Sequence, residues 1–159
     1  MTEVANVDLK NKMVYGVIAG AIGGAVDIIL KFLLTTFNIG KFDDIDFVSQ
    51  MSFGTAPGNP NVIGVFGMGI VMWAFVGLIF GGTLYLLLTR AGWERDLTRY
   101  SIVAFLIGFV LFLVTLTYLP LAEWDLLIDL PIQLVIGVGS MVLLGPVVYL
   151  LEERYLSPS

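Results

Sequence analysis

Residues 19–32 read "AGAIGGAVDIILKF". The stretch is almost wholly apolar and rich in small residues, yet it holds Asp27 and Lys31. It lies inside a longer apolar run, Met13 to Phe37, with no break that would end a helix. A run of that length is enough to cross a bilayer, which takes about 20 residues. It is too long for a cleaved signal peptide, and no small-residue cleavage pattern closes it. Charges within such a span are costly and face protein or a cavity, so the pair is the first candidate site.

Three further runs have the same character. They cover residues 62–88, 100–119 and 131–151, and all are apolar on every face rather than along one stripe. The chain of 159 residues is 58% hydrophobic and 13% charged. Soluble domains carry about 25% charged residues. The expected fold is an all-α membrane protein: one domain, residues 1–159, with four transmembrane helices. Cysteine and histidine are absent. That removes disulfides, thiolate ligands and the commonest haem, copper and zinc ligand. No cofactor is expected on the chain's own side chains, with room for structural lipid. A formal charge of −5 argues against nucleic-acid partners.

Basic residues set the orientation. Lys10, Lys12, Arg90, Arg95, Arg99 and Arg154 fall on one side of the four spans, and Lys31 and Lys41 on the other. Both termini are therefore expected in the cytoplasm and the chain in the cell membrane. Two acidic loops then lie outside. The first, "FDDIDFVSQMSF" (42–53), mixes Asp43, Asp44 and Asp46 with aromatic and aliphatic residues. The second, "PLAEWDLLIDLP" (120–131), holds Trp124 and Asp125. Each is expected to form a short interfacial helix and to offer a docking surface for a partner. The "DDID" cluster lacks the spacing and glycine of a calcium loop.

Asp27 and Lys31 stand four residues apart, on one helix face. Gly16, Gly20 and Gly24 continue that face, and such a small-residue stripe lets a second helix approach closely. Ala74, Gly77 and Gly81 form a matching face in the second span. Gly137 and Gly145 serve the fourth, where Gly145-Pro146 predicts a kink. The third span is dominated by Phe105, Phe109 and Phe112. Helices one, two and four are thus expected to pack closely, and helix three to turn its bulk outward. The pair has two readings: a neutralised structural fixture, or a transport site lining a path. Carriers gather several intramembrane polar groups, and the other spans offer few, which favours the structural reading. No nucleophile–base pair or metal constellation suggests an enzyme.

With the helices placed, four segments carry a resemblance: "YGVIAGAIGGAVD", "FGTAPGNP", "GLIFGGTLYLL" and "LVIGVGSMVLLGPVVYLL". Across its length the chain resembles a loose group of uncharacterised small four-helix membrane proteins of archaea and some bacteria. Some of that group carry a histidine in the last span, which this chain lacks. Some look like neighbours of terminal-oxidase components, which implies an accessory role. The expected function is a cofactor-free accessory subunit packed against other integral membrane subunits and lipid, in a respiratory or otherwise energy-transducing complex. The alternative is a small oligomeric transporter or channel using Asp27 and Lys31.

Overall fold

The structure is a computed structural model that describes residues 9–117, 125 and 127–156. Every regular element among them is a helix: α1 Leu9–Thr36, α2 Asp44–Phe53, α3 Val62–Arg90, α4 Leu97–Leu116, α5 Asp129–Val142 and α6 Leu144–Leu156. Four segments are long and apolar enough to cross a membrane: α1, α3, α4, and α5 with α6 counted together.

Local chemistry fixes where the helices begin and end. α1 stops in a Schellman motif. Asn38 takes a left-handed φ of 51°, its N–H donates to the Thr35 carbonyl at 3.1 Å, and the Ile39 N–H donates to Leu34 at 2.9 Å. Asparagine tolerates that conformation better than most side chains. Asp43, Asn61 and Asp96 cap α2, α3 and α4 by accepting backbone N–H groups at 2.9–3.0 Å. The α5–α6 break at Leu143 precedes Pro146, which has no N–H to donate and crowds the carbonyl four residues back. Helical bonding resumes when the Val147 N–H donates to Leu143 at 3.1 Å.

α1 and α3 pack antiparallel along most of their length in a four-residue register. A Cβ on Gly16 would strike the Gly77 carbonyl, and one on Gly20 the Trp73 carbonyl. A Cβ on Gly81 would strike the Lys12 carbonyl. Ala74 lies against Gly20 in the same seam. Lipid offers no hydrophobic reason for helices to associate, so such contact rests on close van der Waals approach. Gly23 meets Leu144 and Ser140, joining α1 to the last span.

Two packing expectations need correction. Gly145 approaches α4, not α1 or α3: its Cβ would lie 2.7 Å from backbone atoms of Ser101. The third span thus has its own tight contact, because one glycine needs only a flat backbone opposite, not a second glycine. Gly137 has open space where a Cβ would go, so it is no packing glycine. It lines a pocket instead.

The buried apolar core gathers Ala19, Phe80, Leu84, Tyr100, Val103, Ala104, Leu144 and Val148. These come from the first half of α1, the second half of α3, the first half of α4 and the start of α6. The bundle is therefore tightest at the end that carries the chain termini. At the α2 end α1, α3, α4 and α5 leave room for the pocket.

Candidate functional site

α1 turns one face inward along its whole length: Lys12, Gly16, Ala19, Gly20, Gly23, Gly24, Asp27 and Ile28 are buried. A charged cluster forms at each end of that face.

At the terminal end, Lys12, Tyr100 and Glu152 are buried at 2%, 1% and 0% exposure. The Lys12 ammonium pairs with Glu152 Oε1 and donates to Tyr100 Oη at 2.6 Å. Tyr100 donates to Glu152 Oε2 at 2.8 Å, and Arg95 Nε pairs with that oxygen at 3.1 Å. Arg95 also lies 5.4 Å from the Tyr149 ring centre. Both carboxylate oxygens are therefore used. The network ties α1, α4 and α6 to the segment before α4. Lys12 and Glu152 lie just outside the apolar runs 13–37 and 131–151. One available signal was that Lys12 precedes Gly16 by four residues, on the inward face.

At the other end, Asp27 is 3% exposed. Lys31 Nζ bridges two carboxylates, Asp27 Oδ2 at 3.1 Å and Asp44 Oδ2 at 2.7 Å. Asp44 belongs to the first turn of α2, where the helix dipole favours an acid. It is thus the third member of the α1 charge pair. Its side chain is only 16% exposed and is engaged within the chain.

The other acids of that loop are also engaged internally. Asp43 caps α2 and accepts the Thr35 hydroxyl at 3.3 Å. Asp46 accepts the Gly58 N–H at 3.0 Å and the Gln50 amide at 2.8 Å. Ser49, fully buried, takes the Asn61 N–H at 2.6 Å and shares a bond with Thr55. These bonds give residues 54–61 a defined path back to α3. Asp125 pairs with Lys41 at 3.2 Å and donates its N–H to Asp129 at 2.9 Å. Asp129, 3% exposed, also accepts the Lys41 N–H at 2.7 Å. Asp129 therefore joins the two loops, a role absent from the sequence reading. Trp124 lies outside the described residues.

Beneath α2 is a pocket of about 150 Å³. Asp27, Lys31, Asp44, Trp73, Thr115 and Gln133 contribute to its wall, and Gly137 opens one side of it. The Asp27 Oδ1 atom is buried without a hydrogen-bond partner, alone in this among the described residues. Groups left in that state cost about 1–3 kcal/mol. Among the described residues no cluster of three or more His, Cys, Asp or Glu could hold a metal ion.

No protein family, curated protein or solved structure matches this chain.

Proposed function

We propose that the protein is an accessory subunit of a larger integral membrane complex, holding catalytic neighbours and lipid in position without a cofactor of its own. One observation carries the reading: the buried charges bind helix to helix. Lys12, Arg95 and Glu152 are consumed at one end, and Lys31 with Asp44 at the other. Such pairing fixes the arrangement of the spans. Outside it, α3 and α4 expose Val71, Met72, Phe75, Leu106, Val110 and Leu113, an apolar surface for lipid or another subunit. The resemblance to small four-helix proteins near terminal oxidases points to an energy-transducing complex. Both termini lie in the cytoplasm in this reading, and α2 rests in the outer interface. With the loop acids engaged within the chain, Phe53, Met51 and Leu127 are among the exposed side chains there that a partner could meet.

The test is gentle extraction from the native membrane followed by native mass measurement. Stoichiometric copurification with other membrane subunits is expected. A monodisperse, partner-free species of 17.4 kDa or a simple homo-oligomer overturns the reading.

A second reading, a small oligomeric transporter or channel, is favoured by Asp27, which lines a pocket and keeps one buried carboxylate oxygen without a partner. It requires a solute or ion flux in reconstituted vesicles that Asp27→Asn abolishes. A flux unaffected by that change removes it.

A further inference from the structure

The wall of the pocket under α2 includes Asp27, one of whose carboxylate oxygens is buried with no hydrogen-bond partner. Asp27 is 3% exposed, its Oδ2 is held by Lys31, and its Oδ1 has no partner. Native proteins leave few buried polar atoms in this state, and each calls for an explanation such as a bound ion or ligand.

The charge count gives the sign of that ligand. Two carboxylates, Asp27 and Asp44, share one ammonium, Lys31, so the cluster is formally −1. Lys31 is already matched to both acids, which leaves no unpaired positive charge to draw an anion. A cation is the complementary guest.

The wall decides which cation. Hard metal ions such as calcium take 6–8 oxygen ligands. Asp27 Oδ1 is the single unpartnered buried side-chain oxygen among the described residues, and much of the remaining wall is Trp73, Leu111, Phe112 and Met141. An ammonium group suits this mixture: it donates one or two strong hydrogen bonds and rests its other faces on aromatic rings. Thr115 and Gln133 add oxygen acceptors on the same wall; the Thr115 hydroxyl spends its own hydrogen on the Leu111 carbonyl at 2.9 Å. The volume of about 150 Å³ is several times a water's share of about 30 Å³, so a guest of a few heavy atoms fits.

We propose that the pocket bounded by α1, α2, α3, α4 and α5 is a binding site for a protonated amine, carried by a small soluble cation or by a lipid headgroup. The site goes beyond the accessory-subunit reading and requires no flux. Binding without flux removes only the transporter reading, and failed binding leaves copurification with partners untouched.

The test uses the full chain purified in a maltoside detergent. One arm measures equilibrium binding of labelled methylammonium, with guanidinium, tetramethylammonium and sodium as competitors at constant ionic strength. The other arm follows retention of phosphatidylethanolamine against phosphatidylglycerol by native mass spectrometry. Saturable amine binding identifies a soluble guest, and selective retention of phosphatidylethanolamine identifies a headgroup; either supports the site. Asp27→Asn is expected to weaken the binding by about tenfold or more. Gly137→Leu tests the site without touching a polar group. Space is open at Gly137, so this variant fills the pocket while keeping the helical fold, checked by its melting profile. The same weakening is expected. No saturable binding in either arm, competition by sodium equal to that by amines, or binding that survives Gly137→Leu unchanged overturns the proposal.

Discussion

At the scale of single residues, glycines do different work in similar sequence settings. Gly16 and Gly77 sit where a Cβ would overlap a neighbouring carbonyl oxygen. Gly137 sits in a span of the same composition, yet open space faces it. Gly16→Ala or Gly77→Ala is therefore expected to destabilise the bundle by about 1–3 kcal/mol, because backbone must move apart. Gly137→Ala is expected to be neutral or stabilising by up to about 1 kcal/mol, the helix-propensity gain. Denaturation of the purified variants in mixed micelles checks the order, and equal effects at Gly16 and Gly137 would contradict the seam. Asp125 carries a pH prediction. The Lys41 ammonium beside it, with the Leu127 N–H, holds its carboxyl below the usual range. A carboxyl depressed on folding adds stability above its unfolded value, about 3.9, and that part is lost as pH falls through the folded value. The loss should be small, confined to acid pH, and absent from Asp125→Asn. Melting curves across that range test it.

At the scale of elements, the terminal network outweighs the better advertised pair in α1. Lys12 and Glu152 are 140 residues apart in sequence and almost fully buried together. Lys12→Met strips Glu152 Oε1 of its partner while Arg95 and Tyr100 still hold Oε2, and is expected to cost about 1–3 kcal/mol. Replacing both partners by apolar residues should recover much of that loss. A double-mutant cycle measures it; additive losses would mean that the two do not act as a pair. α2 shows a second point. The short helix and the loop after it, 54–61, are held by Asp46 and Ser49, which accept the Gly58 and Asn61 N–H groups. A segment that reads as acidic surface on composition is held by those side chains as the cover of a pocket. Nothing in "FDDIDFVSQMSF" alone distinguishes an acid that faces solvent from one that reaches Lys31, because the difference lies in how α1 ends.

At the scale of the whole molecule, opposite ends of the bundle have opposite character. The terminal end is closed by core and network, and the α2 end keeps a pocket that sets Asp27, Lys31 and Asp44 against an apolar wall. Six basic residues lie at the terminal end and two at the other, and the bias predicts that the terminal end is cytoplasmic. The chain has no cysteine, so single cysteines report position cleanly. A cysteine at Asn59 is expected to react with an impermeant maleimide on intact cells, and one at Thr98 only after permeabilisation. The reverse pattern would invert the topology.

The sequence alone determines four apolar helices and their approximate limits. That is because hydropathy adds up locally, and a helix satisfies its own backbone in lipid. It also exposes the face shared by Gly16, Gly20, Asp27 and Lys31, because helical period is fixed. The tertiary structure alone decides that Lys12 meets Glu152, that Lys31 spans Asp27 and Asp44, that Gly145 packs on α4, and that Gly137 opens on the pocket. Each of these depends on how one helix is rotated against another. In spans that are apolar on every face, composition leaves that rotation open, and only close packing and charge pairing choose it.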